Sequence, residues 1–406
     1  MTYSLFSVHG VEIEYALVRR KDGSVAPLAA DLLTRLGGSP DSHPVFGEVE
    51  IDNELAAHVL ELKLRKPAPS LLPLVKDFNA AVQGVNTALA QFDAILLPGG
   101  MHPFMNPERE SKLWDYEDNP IYAAYDRVFG CRRHGWLNIQ STHLNLPFNG
   151  DPEFSQLHNG ISLILPLLPA LASGSPIWNG KPGPWLDGRL YHYVQNQKKL
   201  PEIAGPLVPE PVGSESEYRE RILEPMYRAI APLDPEKILQ EEWLNSRAAI
   251  ARFDRGAIEI RCLDTQEFPL ADLALCHFTT CLLKLLIEGN KDLYRAHKAI
   301  PMGLLRDLFL KTAEKGRNAL LPAEYPVEIF GITRFQGTVG DFLKILVPPT
   351  YRRSEALEEG VFRPEIEKII RNGSFAERTL FQWKKDPNLH RLCNELAAQL
   401  DSATRN

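Results

Sequence analysis

The sequence of 406 residues has few cysteines and lacks the glycine-rich loops that hold nucleotides in the commonest folds. Its five cysteines are scattered and form no CxxC pair, which argues against a disulfide framework and against a zinc or redox motif. Neither GxxxxGK(S/T) nor GxGxxG occurs. A bound nucleotide would therefore have to be held chiefly through metal ions and arginines.

The chain also lacks a basic surplus and an obvious apolar run of transmembrane length. Its formal net charge is -7 at pH 7, which argues against nucleic acid and against an anionic membrane as partners. The apolar stretch at residues 161–173 is shorter than the roughly 20 residues that a bilayer span requires, and it contains two prolines. The first residues have neither the basic nor the apolar region of a signal peptide. We therefore expect a soluble, cytoplasmic protein.

Hydrophobic patterns of period two alternate with patterns of helical period along the chain. The former predict strands at residues 6–18, 45–51, 58–64, 94–97, 137–148 and 250–263. The latter predict helices at 26–36, 70–92, 120–129, 154–171 and, for the most part, from 272 onward. Because no regular βαβ rhythm appears, we expect an α+β fold with a largely antiparallel sheet, one face of which can line a cleft. Residues 1–290 would form a catalytic core of sheet and helices, and residues 291–406 a helical region packed on it as one unit.

Carboxylates occur at alternate positions in otherwise apolar predicted strands. Side chains alternate faces along a strand, so Glu12 and Glu14 share one face, and Glu259 shares another with Arg261. Several carboxylates on one surface repel each other unless a cation lies between them. Oxygen ligands with one imidazole suit Mg²⁺ or Mn²⁺. The pattern therefore predicts a multi-metal site of the kind that holds a nucleoside triphosphate.

Each of these acidic residues also fits a simpler explanation. Glu12 and Glu14 are compatible with an ordinary solvated sheet face. Glu61 lies among apolar neighbours and would contact either Lys63 or a metal, since buried charges are seldom unpaired. His143, taken alone, is more often a satisfied histidine than a ligand.

The polar neighbours of these residues leave similar alternatives open. Asn145 shares a strand face with His143, which fits a metal ligand beside a polar group. Arg261 either forms a plain ion pair with Glu259 or neutralises charge on a transferring phosphate. Arg252 lies nearby and could do the same or simply be solvated.

Six motifs together carry a recognisable pattern. They are Gly10-Val-Glu-Ile-Glu-Tyr15, Glu54 with Glu61, Gly100-Met-His-Pro103, Thr142-His-Leu-Asn145, Ala172-Ser-Gly-Ser-Pro-Ile-Trp178 and Ile258-Glu-Ile-Arg-Cys-Leu-Asp264. Through them the chain resembles the glutamate–cysteine ligase family, in particular its bacterial type 2 carboxylate–amine ligase branch, within the glutamine synthetase-like superfamily.

The resemblance implies both a fold and a reaction. The fold is a curved, mainly antiparallel sheet flanked by helices, whose concave face forms a funnel for ATP, metals and substrate. In the reaction, ATP phosphorylates a substrate carboxylate, and an amine attacks the acyl phosphate to give an amide, ADP and phosphate. Glutamate-like and cysteine-like molecules are the family's usual substrates, as in glutathione biosynthesis. The oligomeric state stays open, a homo-oligomer included.

The resemblance also implies roles for individual residues. Two to three Mg²⁺ (or Mn²⁺) ions would be bound by Glu12, Glu14, Glu54, Glu61, His143 and Glu259. Glu259 and Arg261 would act in catalysis, with Arg261 contacting phosphate. The remaining substrate or nucleotide contacts would be His102, Asn145, Arg189 and Arg252.

Two rival functions are compatible with the same residues. A phosphotransferase of the same superfamily would move phosphate without ligation, and release of phosphate that depends on an amine would distinguish the two. A catalytically inactive homologue would bind metal or nucleotide only. The presence of all six candidate ligands argues against that reading.

Overall fold

The structure, a computed structural model, describes residues 3–405 and centres on an eight-stranded sheet in which every pair of neighbouring strands is antiparallel. A separate short hairpin is formed by β7 and β8. The strands are β1 Gly10–Arg19, β2 Val45–Phe46, β3 Val49–Asn53, β4 Val59–Leu64, β5 Ala94–Leu97, β6 Ser141–Pro147, β7 Ile177–Trp178, β8 Lys181–Pro182, β9 Ala249–Arg252 and β10 Ala257–Asp264.

The strand order places β1 at the centre of the sheet. The order is β2-β3-β4-β1-β6-β10-β9, and β5 pairs with the second half of β1 beyond the end of β6. The apolar side chains of β1 at Val11, Ile13 and Tyr15 are buried in the main core, as period-two alternation requires. Glu12 and Glu14 consequently lie on the opposite face.

The described part of the chain also contains seventeen α-helices and eight short 3-10 or π-helical segments. The α-helices are α1 Ala29–Gly37, α2 Leu74–Leu89, α3 Pro107–Glu110, α4 Asn119–Phe129, α5 His134–Leu137, α6 Gly150–Ile164, α7 Pro169–Ala172, α8 Gly188–Tyr193, α9 Glu215–Tyr218, α10 Glu224–Ile230, α11 Pro269–Gly289, α12 Leu293–Lys298, α13 Met302–Lys315, α14 Val339–Tyr351, α15 Ala356–Asn372, α16 Phe375–Lys385 and α17 Leu389–Ala403. Helices α2, α6, α11, α14 and α15 contribute buried apolar residues to the main core on one face of the sheet.

A second, smaller core lies on the other face of the sheet, at the far end of β1. There Ala16 and Val18, with Ile95 and Leu97 of β5, pack against apolar residues of the last two helices, α16 and α17. Residues beyond 290 therefore contribute to both cores. The proposed division into residues 1–290 and 291–406 stays a prediction.

The bounds of one predicted element match the structure, and those of two others differ from it. Strand β5 coincides with the predicted residues 94–97. The helix predicted at 154–171 instead ends at Ile164 as α6, because Pro166 and Pro169 lack the amide proton that a continuing helix needs. The strand predicted from residue 137 begins only at Ser141, since residues 134–137 form α5.

Helix α11 is a longer apolar segment than the stretch at 161–173 singled out above. Its 21 residues are long and apolar enough to cross a membrane by length and composition, and 78% of its most apolar window is buried inside the protein. It contacts α14 and α15 on the apolar side of the sheet. Residues 161–173 are therefore not the longest apolar segment of the described chain, since the mostly buried α11 is longer.

Candidate functional site

The register of the central strands brings the predicted metal ligands onto one face of the sheet. Glu12 of β1 lies opposite Lys63 of β4 on one side and His143 of β6 on the other. Glu14 lies opposite Glu61 of β4. Directly opposed residues of antiparallel strands project to the same side with their Cβ atoms about 5 Å apart. The three strands thus form a patch of carboxylates around one imidazole.

Glu12, Glu61 and His143 are the members of this patch best placed to share a cation. One ligand atom from each lies within 4.8 Å of the other two. His143 Nδ1 is 2.9 Å from Glu12 Oε2. Two carboxylates and one imidazole are a donor set suited to Mg²⁺ or Mn²⁺. The residues therefore fit the ion that the sequence predicts.

Ser141 connects the remaining carboxylate of β1 to this centre. Its backbone N–H and its hydroxyl donate to the two oxygens of Glu14 at 2.9 and 3.1 Å. Its Oγ is also 2.9 Å from His143 Nε2. Ser141 is not among the residues predicted from the sequence, although its position two residues before His143 on one strand is the same period-two signal that identifies Glu12 and Glu14.

Burial gives these carboxylates different protonation behaviour. Burial raises the pKa of Glu61 well above its ordinary value, and the charges of Glu12 and Glu54 raise it further. Burial likewise raises the pKa of Glu54, with the Glu14 charge acting in the same direction. The raised pKa values of Glu54 and Glu61 indicate that, without metal ions, the patch has too few positive groups to neutralise all of its carboxylates.

Glu12 and His143 are shifted in the opposite sense because they stabilise each other's charge. Burial alone would raise the pKa of Glu12, but the hydrogen bond and charge of His143, with Arg255 and Lys63, lower it to about 2. Burial would lower the pKa of His143, yet the hydrogen bond with Glu12 and the charges of Glu259 and Glu14 raise it to about 9. In the metal-free protein, His143 is therefore an imidazolium at neutral pH.

Lys63 supplies a second positive charge at the edge of the patch. Its Nζ contacts Asp52 and lies 3.3 Å from Glu61 Oε2. Glu61 therefore contacts Lys63, one of the two partners considered for it, while its contact with a metal stays a prediction that its place in the candidate metal centre supports. Because Lys63 also contacts Asp52, it would stay paired if Glu61 bound a cation.

Strand β10 continues the polar face beyond β6. Glu259 lies opposite Asn145, whose Nδ2 donates to Glu12 Oε1 at 3.2 Å.

Arg261 Nε is 3.0 Å from Glu259 Oε1, and its Nη1 donates to a backbone carbonyl at 3.2 Å. Arg252 is 3.9 Å from Glu259 but forms its hydrogen bonds with Asp254 at 3.1 and 2.9 Å. Of the two arginines, Arg261 lines the cavity described below.

Arg189 is more buried than Arg261 and forms an ion pair with Asp264 at the end of β10. The side chains are 2% and 0% exposed, and Arg189 Nε donates to Asp264 Oδ1. Asp264 Oδ2 also accepts from Gly174 N at 2.8 Å and Ser175 Oγ at 2.6 Å. A Cβ atom on Gly100 would lie 2.4 Å from the Asp264 carboxyl carbon, so only glycine fits there. Gly100, the first residue of the Gly-Met-His-Pro motif, thus leaves the space that the Asp264 carboxylate occupies beside Arg189.

His102, predicted as a substrate contact, has backbone groups as its partners in the structure. It is fully buried, its Nε2 contacts the Gly23 carbonyl at 2.8 Å, and its Nδ1 accepts from Met105 N at 3.0 Å. It is not among the cavity-lining residues. Burial lowers the pKa of His102 to about 4, so the ring is neutral at pH 7. Both ring nitrogens form hydrogen bonds with backbone groups. These contacts indicate a structural role for His102, and its substrate contact stays a prediction.

A cavity of about 240 Å³ adjoins the carboxylate patch. Polar groups from the sheet and its flanking segments line one part of it: Glu14, Glu54, Ser141, His143, Arg189, Ser246 and Arg261. Aromatic side chains from the connecting segments line much of the rest: Tyr122, Tyr125, Trp136, Tyr193 and Trp243. A cavity with convergent polar groups and shifted pKa values is the usual setting for a small-molecule site.

Solved structures with similar architecture identify the fold. A bifunctional glutathione synthetase from Pasteurella multocida superposes with a TM-score of 0.65 at 14% identity, covering 98% of this chain and 53% of that chain. The chain thus spans about half of that longer protein. A glutamate–cysteine ligase from Francisella tularensis, in complex with AMP, superposes with a TM-score of 0.63 at 15% identity, covering 100% of this chain and 90% of that one. The fold is the glutamine synthetase-like α+β fold of these ligases, as the sequence predicted.

Sequence similarity then gives the family. The model of glutamate-cysteine ligase family 2 (GCS2) matches residues 8–395, so the chain belongs to that family. An uncharacterized protein of Archaeoglobus fulgidus is 34% identical over 399 residues, which are 97% of this chain and 98% of the relative. The resemblance stated from the motifs is therefore confirmed.

Proposed function

We propose that the protein is an ATP-dependent carboxylate–amine ligase. A substrate carboxylate oxygen would attack the γ-phosphorus of ATP, forming an acyl phosphate and releasing ADP. The amine nitrogen would then attack the acyl carbon, forming the amide and releasing phosphate with loss of one proton from nitrogen. Membership of a ligase family and the acidic patch beside a small-molecule cavity support this assignment.

The observation that carries the proposal is the donor set on the central strands. Glu12, Glu61 and His143 would hold a divalent ion. Glu14, Glu54 and Glu259 lie close enough to influence the same groups electrostatically and would complete a set for two to three ions. When bound, Mg²⁺ or Mn²⁺ neutralises the negative charge of the ATP phosphates.

The arginines of the cavity would act on the anions that remain. Arg261 is partly exposed and would contact the transferring phosphoryl group, where a planar guanidinium can donate to two oxygens at once. Arg189 is held rigidly by Asp264 and would orient the substrate carboxylate. Phosphoryl transfer needs mainly positioning and positive charge, and these residues supply both without an enzyme nucleophile.

The test is ADP release by the purified protein with Mg²⁺, ATP and pairs of carboxylic acids and amines, beginning with glutamate and cysteine. We expect release that requires acid, amine and metal together, with an amide detected by mass spectrometry. Phosphate transfer to the acid without any amine requirement would instead identify a phosphotransferase. ATP binding without turnover for every pair would identify a binding protein.

Two variants connect this activity to the patch. Glu12→Gln should lower turnover at least a hundredfold, because it removes a ligand oxygen from the candidate metal centre. Phe381→Leu changes a side chain that is 63% exposed on α16 and serves as the control. Equal turnover in the Glu12→Gln variant and the control would contradict the assigned role of the patch.

A further inference from the structure

The aromatic part of the cavity lining is not explained by the ligase reaction itself. Tyr122 and Tyr125 lie on α4, Trp136 on α5, Tyr193 at the end of α8 and Trp243 in a short turn before β9. None of these elements belongs to the sheet that carries the acidic patch. The cavity therefore combines a polar part built on strands with an aromatic part built on their connections.

The aromatic residues pack against one another rather than lining the cavity singly. The ring of Tyr125 lies 5.2 Å from that of Trp136 and 5.7 Å from that of Trp243, both in tilted contact. Behind them, Phe129 stacks on Trp136 at 5.6 Å. Rings supported in this way form a fixed apolar surface, and such a surface binds a flat or bulky apolar group at little entropic cost.

The charges beside the aromatic residues favour an anion. Arg261 lines the same cavity as Tyr125 and Tyr193. Arg189 is 2% exposed and its Nη2 has no hydrogen-bond partner within residues 3–405, although it lines the same cavity. A buried guanidinium donor without a partner is costly, and a ligand carboxylate close to it would remove that cost.

The same charges disfavour the ammonium group of a polar amino acid. The carboxylates among the described lining residues are Glu14 and Glu54, and both adjoin the candidate metal centre. Once metal ions occupy the patch, neither carboxylate is free to accept a hydrogen bond from an ammonium group. The lining away from the patch adds Leu55, Ala56, Val59 and Ile139, all apolar.

We propose that the cavity takes a carboxylic acid with an aromatic or similarly bulky apolar body, its carboxylate facing Arg189 and Arg261 and its body packed on Tyr125, Trp136 and Trp243. This inference rests on the proposed ligase function and names the class of its acid substrate. It differs from the glutamate-like acid that the family resemblance implies.

Binding and turnover are measured separately, so that the two proposals can fail independently. Calorimetric titration of the protein with 3-phenylpropanoate and with L-glutamate, each with Mg²⁺ and ADP present, measures binding. We expect 3-phenylpropanoate to bind at least tenfold more tightly. Equal or tighter binding of glutamate, or no binding of 3-phenylpropanoate, would overturn the inference.

ADP release with the same two acids and a panel of amines then tests the reaction. Faster release with 3-phenylpropanoate supports both proposals. Release with glutamate alone overturns the inference and leaves the ligase function standing. Tight binding of 3-phenylpropanoate without release for any amine overturns the ligase function and leaves the binding preference standing.

Substitutions at Trp243 tie the preference to the aromatic surface. Trp243→Leu should weaken 3-phenylpropanoate binding about tenfold, the size of one lost aromatic contact, and leave glutamate binding within about twofold. Trp243→Phe keeps a ring and should retain binding within about threefold. Phe381→Leu, which removes an exposed ring outside the cavity, is the matched control. Unchanged binding in Trp243→Leu would show that the aromatic surface does not contact the ligand.

Discussion

Replacing Asp264 by asparagine should test whether Arg189 is held in place by a buried ion pair. The variant keeps an oxygen that can accept from Gly174 N or Ser175 Oγ but removes the negative charge opposite Arg189. Removing one partner of a buried pair typically costs about 3–5 kcal/mol, because the other charge stays buried and unpaired. Since the hydrogen bonds are partly kept, we expect about 3 kcal/mol of lost unfolding free energy.

A double-mutant cycle separates the pair from its surroundings. Arg189→Met should also cost about 3 kcal/mol, since it leaves the Asp264 charge buried. If the two residues act as a pair, the double variant should cost about the same as either single variant, giving a coupling energy near 3 kcal/mol. The measurement is equilibrium urea unfolding of the metal-free protein at pH 7, where Arg189 stays protonated.

Asp272 offers a matched control for this cycle. It is a fully buried carboxylate whose partners, Thr142 and Gln266, are neutral, and burial raises its pKa to about 8. It is therefore mostly protonated at pH 7, and Asp272→Asn should cost only about 1 kcal/mol. If Asp264→Asn costs no more than this control, or if the single costs add within about 0.5 kcal/mol, the ion pair does not hold Arg189 in place.

The acidic patch and its neighbours give four further predictions. Glu61→Gln should raise the unfolding free energy of the metal-free protein by on the order of 1 kcal/mol and weaken stabilisation by Mg²⁺, because it removes a repelled carboxylate that is also a ligand; metal titration of the melting temperature measures both. With EDTA present, the melting temperature should fall as pH rises from about 6.5 to 9, because the folded-state pKa of His143 lies above its unfolded value and its contribution is lost through that window; His143→Asn should flatten this slope. Arg261→Lys should lower turnover roughly ten- to a thousandfold without changing Mg²⁺ affinity, since lysine keeps the charge but loses the planar fork; unaltered turnover would make Arg261 a partner of Glu259 only. His102→Ala should cost about 3 kcal/mol of stability while leaving calorimetric binding of the carboxylic acid, with Mg²⁺ and ADP present, intact; a loss of that binding with the fold intact would show that His102 contacts the substrate.

The candidate metal centre could be predicted from sequence because its signal is local. Side-chain alternation within a strand places Glu12 beside Glu14, and His143 beside Asn145, without knowledge of the rest of the fold. The resemblance to the ligase family then implies that these residues bind the same ions, and the structure shows the pairing of β1 with β4 and β6 that brings their faces together. Where the strand pattern is clear, the sequence therefore predicts both the element and the direction of its polar residues.

The parts that escaped prediction depend on contacts between distant segments. The sequence around His102 indicates only a histidine in a loop. The partner of its Nε2 is the carbonyl of Gly23, which lies 79 positions away in the chain. Arg189 and Asp264 are 75 positions apart, and nothing near either residue signals the pair. Likewise, the aromatic part of the cavity assembles from three helices and a turn whose relative placement follows from core packing. Such placement has no local periodicity to reveal it.

Strand β5 pairs with β1 alone, so one of its edges has no strand partner in the described sheet, and α17 packs beside it. Deleting α16 and α17 would expose Ile95 and Leu97 on an apolar strand with an open edge, which is a template for aggregation. The same deletion would uncover Ala16 and Val18 on the strand that carries the acidic patch. A shortened protein would then lose solubility before its chemistry could be assayed, so engineered minimal versions should retain residues 375–403.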